Sequence, residues 1–185
     1  MYNKSIEKTA TEATIMKHND NKLRLITLTA TFAALIYVLT AFLHVPTIKG
    51  YVHIGDGAIF LAAAILPTPY AAAAAAIGAG LSDALSGYFI WVPATIVIKA
   101  LTTLAFTNKS EHLIGARNLL ALIPALILCV GGYGAYSGLV IYHSLAAGFA
   151  DAAANTVQII ASSIVFVLAA TALDRTKAVK RVKRT

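Results

Sequence analysis

The feature that most constrains this chain is an apolar stretch of membrane-crossing length with prolines in its middle. Residues 54–85 contain no lysine or arginine. As a single helix they would be roughly 48 Å long, against a hydrocarbon core of ~30 Å. Pro67-Thr68-Pro69 interrupts them. Each proline removes a backbone donor and clashes with the preceding helical turn. The pattern predicts two short helices joined by a tight turn. The first, about residues 54–66, is shorter than a standard span.

Further apolar runs cover residues 23–43, 89–106, 119–142 and 144–173, separated by polar loops at 44–53 and 107–118. Hydrophobic residues make up 58% of the chain and charged residues 12%, about half the charge fraction of a soluble domain. These runs predict an all-α integral membrane protein, a compact bundle of six transmembrane helices with both termini cytoplasmic. Residues 1–22 read as a poorly ordered cytoplasmic tail, 23–173 as the membrane domain and 174–185 as a basic cytoplasmic tail. Cys129 is the one cysteine, so an internal disulfide framework is excluded.

The placement of charge tests the count. With six spans, every lysine and arginine except Lys49 and Lys99 falls on the side of the termini, as the positive-inside rule requires. With five, the basic tail would lie outside. That tail also suits anionic lipid, at about 1 kcal/mol per charge near the surface.

Small residues crowd the spans. Six consecutive alanines, Ala71 to Ala76, precede Gly78 and Gly80, and small side chains let helix backbones approach closely in lipid. Ala30 and Ala34, spaced by four in the first span, mark a face that either packs inside the bundle or docks a partner helix.

Ionisable groups in spans are expensive and therefore candidates for function. Asp56, Asp83 and Asp151 fall toward the outer side, with Asn155 and Gln158 deeper on the face of Asp151. Asp56 reads as part of a helix N-terminal cap region. Lys99 lies deeper, roughly 14 Å below the outer end of its span, and Asp83 is its expected partner. Tyr88, Phe89, Trp91, Tyr133, Tyr136, Tyr142 and His143 gather at the same outer level, where Tyr and Trp also serve as headgroup anchors. Together these residues suggest an outward-facing pocket for a small, flat, polar molecule. The sequence carries no HExxH, CxxC or phosphate-binding P-loop, and nothing orients Ser137 and His143 as a nucleophile and base. The expectation is a protein that is not an enzyme, holds no metal or cofactor and cannot use ATP alone.

Three stretches carry a resemblance: His53-Ile54-Gly55-Asp56-Gly57, the segment from Gly78 through Leu81-Ser82-Asp83 to Tyr88, and Pro93-Ala94-Thr95-Ile96-Val97-Ile98-Lys99. Over residues 23–173 the chain resembles the substrate-binding S components of energy-coupling factor (ECF) vitamin transporters. The nearest branch is the one labelled for hydroxymethylpyrimidine, pyridoxine or riboflavin. The resemblance implies a binding subunit in a bacterial plasma membrane that captures a vitamin on the outer side. It implies association with a transmembrane T component and two cytoplasmic ATPases, which use ATP and make the subunit topple to release substrate inside. It also implies that Ala30 and Ala34 dock the T component, and that the loop 44–53, with His53, covers the substrate. The expected site stacks a heteroaromatic ring on Tyr133, Tyr136 or Trp91, with Asn155, Lys99 or Asp83 on its polar edge and Tyr88 beside it. Vitamin B6 or hydroxymethylpyrimidine is favoured, followed by riboflavin and pantothenate. The alternative is a self-sufficient proton-coupled transporter with a relay of Asp83, Asp151 and Lys99.

Overall fold

The computed structural model describes residues 2–47 and 50–176, with side chains from residue 19 onward. Lys49 and the basic residues 177–185 lie outside the described residues. Helix α1 runs from Tyr2 to Ala41, about 60 Å at the α-helical rise. Its apolar part, Asn19–Ala41, is long enough to cross a membrane. Residues 2–22, expected as a poorly ordered tail, continue this helix instead. They contain no glycine or proline, the two residues least compatible with a helix interior. Such a segment extends a helix once the apolar part supplies the nucleus.

The polar loop after α1 forms a small antiparallel hairpin, β1 (His44–Pro46) and β2 (Tyr51–His53). His44 pairs with His53, Val45 with Val52 and Pro46 with Tyr51. The Thr47 amide closes the turn on the Gly50 carbonyl at 2.8 Å.

Helix α2 (Asp56–Ile65) and α3 (Thr68–Leu85) come from the proline-broken stretch. Leu66 is extended, with φ −87° and ψ 153°, the conformation that a following proline imposes. All ten residues of α2 are buried, which explains a helix that is apolar all round. Helix α3 runs against α1, and a Cβ on Gly78 would lie 2.5 Å from the Ala33 carbonyl oxygen. A 3₁₀ turn, Phe89–Trp91, leads into α4 (Val92–Thr103).

Helices α5 (Ala116–Leu120) and α6 (Leu122–Tyr136) and the π turn Ser137–Ile141 form one apolar unit. Helices α7 (Leu145–Ala152) and α8 (Ala154–Thr176) form another. The chain thus has six helical units among the described residues. Three are long and apolar enough to cross a membrane, while α2 and Phe89–Thr103 are shorter apolar helices.

Helix α8 shows how the bundle is turned toward lipid. Val157, Ile160, Ile164 and Leu168 are exposed at helical spacing, while Gln158, Ser162 and Phe166 are buried. One face of α8 is thus large and apolar, while the polar side chains Gln158 and Ser162 face inward beside Phe166, as a hydrocarbon solvent favours. Away from the hairpin, the 107–115 loop is pinned by two side chains. Asn118 accepts from the Thr107 amide at 2.8 Å and donates to the Thr107 and Leu113 carbonyls. The Asp174 carboxylate accepts from the Leu113 and Ile114 amides at 3.0 and 3.1 Å.

Candidate ligand-binding site

Strand β2 is tied to two sides of the bundle. On one side the Tyr51 hydroxyl donates to Asp83 Oδ1 of α3 at 2.5 Å and lies 3.2 Å from Ser82 Oγ. On the other, the His53 amide donates to Gln158 Oε1 at 3.3 Å, and the Ser162 hydroxyl donates to the His53 carbonyl at 3.4 Å. The His53 ring accepts from the Gly55 amide through Nδ1 at 3.1 Å, so in its neutral form the proton sits on Nε2. Burial pushes this imidazole down to about 4. Burial first, and then the negative charge of Asp83, raise the Tyr51 hydroxyl well above the ordinary tyrosine value.

Under the hairpin lies a narrow cavity with about 480 Å³ of empty space counted out through its mouth. The hairpin contributes Thr47, Gly50, Tyr51, Val52 and His53. The bundle contributes Asp83, Trp91, Thr95, Tyr133, and the α7–α8 group Asp151, Ala154, Asn155 and Gln158. Trp91 meets Tyr133 edge-on, with centroids 5.8 Å apart and planes at 66°. The Tyr133 hydroxyl is 2.8 Å from Thr95 Oγ1, so its buried polar end is satisfied. One wall is therefore aromatic, while Asn155, Gln158 and Asp83 supply polar groups.

Beneath the cavity sits a buried ion pair. Lys99 Nζ lies 2.7 Å from Asp56 Oδ1, and both side chains are 2% exposed. The Gln158 amide donates to Asp56 Oδ2 at 2.7 Å, so both ends of this amide are engaged. The Lys99 ammonium also stands 5.2 Å from the Tyr133 ring centroid, within cation–π range.

This corrects the expected pairing of Lys99 with Asp83. Asp83 is held by Tyr51, and Lys99 is closed on Asp56. Asp56 lies at a helix N-terminus as expected, in the first turn of α2 after the N-cap Gly55, but it is buried there. Its carboxylate there is favoured by both the helix dipole and the ammonium. The expected relay of Asp83, Asp151 and Lys99 is likewise divided, because Lys99 and Asp83 bond to different partners.

The other sequence candidates divide into two groups. Asp83, Trp91, Tyr133, Asn155 and His53 line the cavity. Tyr88 and Tyr136 stand behind it. Tyr88 packs on the Tyr51 ring at 4.8 Å, and Tyr136 packs on Trp91 at 5.8 Å while its hydroxyl donates to the Ile90 carbonyl. Lys99 reaches the site only through Asp56 and Tyr133. Ala30 and Ala34 lie elsewhere, exposed on a shallow apolar groove between α1 and α3 with Ile26, Tyr37, Tyr70 and Ile77. The spacing alone left open an inward or outward face; the structure turns it outward.

A hairpin-covered cavity built between helices with lipid-facing apolar sides is the geometry of a membrane binding subunit. The family model described as ECF-type riboflavin transporter, S component, matches residues 20–175, from the apolar part of α1 to the end of α8. The chain belongs to this family. No curated protein matches it. As an S component it is a membrane protein of a transport system, in a family of substrate-binding components rather than enzymes.

Sequence reasoning missed several lining residues of this S component, above all Tyr51, Thr95 and Gln158 as a participant. Tyr51 is the aromatic residue of the loop between the first two apolar runs, beside Gly50. An aromatic side chain in a short polar loop next to the three quoted stretches was the available signal. Thr95 lies within the quoted stretch Pro93 to Lys99, with nothing else to single it out.

Proposed function

We propose that this S component captures a small heteroaromatic vitamin in the cavity beneath the hairpin and delivers it for ATP-driven uptake. The carrying observation is the cavity's division into an aromatic wall, Trp91 and Tyr133, and polar groups, Asn155, Gln158 and Asp83. Ligand pockets of this kind take their affinity from ring faces and their orientation from a few fixed polar groups. A narrow slot also suits a planar ring better than a branched chain. The resemblance of the quoted stretches favours vitamin B6 or hydroxymethylpyrimidine, while the family description names riboflavin. All three offer a flat heterocycle to the Trp91 and Tyr133 rings. The hairpin supplies one wall and acts as the cover, so substrate is admitted by its displacement from Asp83 and Gln158.

The energising partners in this reading are a transmembrane T component and two cytoplasmic ATPases in a bacterial plasma membrane, with both termini of this chain cytoplasmic. The exposed groove of Ala30 and Ala34 supports docking of the T component on α1, because small side chains let a partner helix approach closely.

The test is a titration of the purified protein with riboflavin, pyridoxine and hydroxymethylpyrimidine, followed by vesicle uptake with and without the ATPase–T assembly. Binding of one vitamin with loss on Asn155→Ala, and uptake only with the assembly and ATP, is expected. Uptake driven by a proton gradient without partners would overturn the reading.

A further inference from the structure

The inference drawn here rests on the vitamin-capture reading and narrows the ligand's chemistry. Asp83 lines the cavity and is 6% exposed. Its Oδ1 accepts from Tyr51, whereas its Oδ2 is buried with no hydrogen-bond partner. The Thr95 hydroxyl, which also interacts with this carboxylate, lies 2.8 Å from the Tyr133 hydroxyl and closes no hydrogen bond on Asp83 Oδ2. A buried acceptor without a partner loses its hydration for nothing, and a charged one loses most. Such an atom in a ligand cavity awaits a donor from the ligand.

The remaining charges point the same way. Among the described lining residues the carboxylates are Asp83 and Asp151, and there is no lysine or arginine. Lys99 lies below the cavity and is closed on Asp56. Two carboxylates with no described cation between them repel an anion brought into the slot.

We infer that the cavity selects an uncharged or cationic heterocycle whose polar edge carries an N–H or O–H donor. That donor completes Asp83 Oδ2. Ligands that bring a carboxylate to this edge are rejected. A site built to bond a donor discriminates strongly against an analogue lacking it, because the buried acceptor is then left open.

Trp91 is the one tryptophan of the chain and lines the cavity, so its fluorescence reads occupancy directly. The full chain in detergent is titrated with riboflavin, pyridoxine, hydroxymethylpyrimidine and pantothenate. The vitamin that binds is then compared with its analogue methylated at the ring donor: 3-methylriboflavin, 3-O-methylpyridoxine or the N,N-dimethylamino pyrimidine. Binding of a donor-edged heterocycle is expected, with pantothenate at least a hundredfold weaker and the methylated analogue at least tenfold weaker. Asp83→Asn should also lose at least tenfold. Tyr51 keeps the amide oxygen, so the NH₂ group faces the ligand's donor. The analogue series uses the unaltered protein and remains decisive if Asp83→Asn fails to fold. Undiminished binding of the methylated analogue, or pantothenate bound as tightly as a heterocycle, overturns the inference while leaving vitamin capture standing. Binding of none of the probes by folded protein overturns both.

Discussion

The Tyr51 hydroxyl and the Asp83 carboxylate, 2.5 Å apart, join the hairpin to the bundle across the mouth of the cavity. The contact is a hydrogen bond to a charged group, worth about 1.5–3 kcal/mol. Tyr51→Phe removes it and keeps the ring that packs on Tyr88 and His53. The variant should exchange its hairpin amides faster, with the rest of the bundle unchanged. Hydrogen exchange read by mass spectrometry checks this; equal protection of residues 50–53 in both proteins would show that the bond does not hold the cover.

The Asp56–Lys99 pair predicts an asymmetric mutational cost. Lys99→Met leaves a carboxylate buried with only Gln158 beside it, and breaking such a pair costs about 3–5 kcal/mol. Removing both charges, in Asp56→Leu with Lys99→Met, should recover much of that loss, because the desolvation of both ions disappears together. Thermal unfolding in detergent measures the difference. If the double variant is as unstable as the single one, packing rather than charge is at issue.

A close backbone approach fixes the α7 side of the site. A Cβ on Gly148 would stand 2.3 Å from the Gly138 nitrogen and 2.5 Å from the Gly134 carbonyl oxygen. Those neighbours are backbone and yield only if α7 moves away from α6. Gly148→Ala should therefore destabilise the protein by about 1–3 kcal/mol, the usual cost of overpacking. It should also weaken ligand binding, since α7 leads into Asp151 and Asn155. An unaltered melting temperature and affinity would contradict the packing described.

The His53 ring predicts a pH dependence. Its folded value of about 4 lies below the ordinary histidine value of 6.5, with burial as the largest cause. Between those values the unfolded chain binds the extra proton and the folded chain does not. Stability should therefore fall as the pH drops from 6.5 toward 4, by on the order of 3 kcal/mol once the window is crossed. Melting temperatures measured from pH 7.5 down to 4.5 test this. His53→Gln keeps an acceptor for the Gly55 amide and should flatten the slope; a slope unchanged in the variant would assign the effect to another group.

Much of the fold was legible because it follows from local chemistry. Pro67-Thr68-Pro69 had to interrupt a stretch too long for one span, and it does so between α2 and α3. The aromatic and amide residues of the later helices, Trp91, Tyr133 and Asn155, share a level in the sequence and share the cavity. The Asp56–Lys99 pair was not legible. It joins helices separated by α3, and the nearer carboxylate in sequence, Asp83, was the natural partner until Tyr51 was seen to hold it. Tyr51 itself was not singled out, since the resemblance laid the loop 44–53 over the substrate without marking which of its side chains reaches the bundle. The helical continuation of α1 through residues 2–22 was missed for another reason. Polarity argues that a segment leaves the membrane, but it does not argue that the segment leaves the helix.

The burial of α2 on every side bears on how this protein is assembled. Ten residues rise about 15 Å, half of a ~30 Å hydrocarbon core, and none of them presents a side to lipid. Such a segment has no independent partition equilibrium with the bilayer. It enters with its neighbours, and its first turn, which carries Asp56, is solvated by Lys99 and Gln158 rather than by water. In glycosylation mapping of nascent chains, a chain ending soon after residue 66 should leave α2 uninserted, and one extended through α3 should insert the pair; stable insertion of α2 alone would refute this order. The cavity beneath the hairpin is then a late product of biogenesis, formed when the lipid-contacting helices close around a core that never meets the membrane.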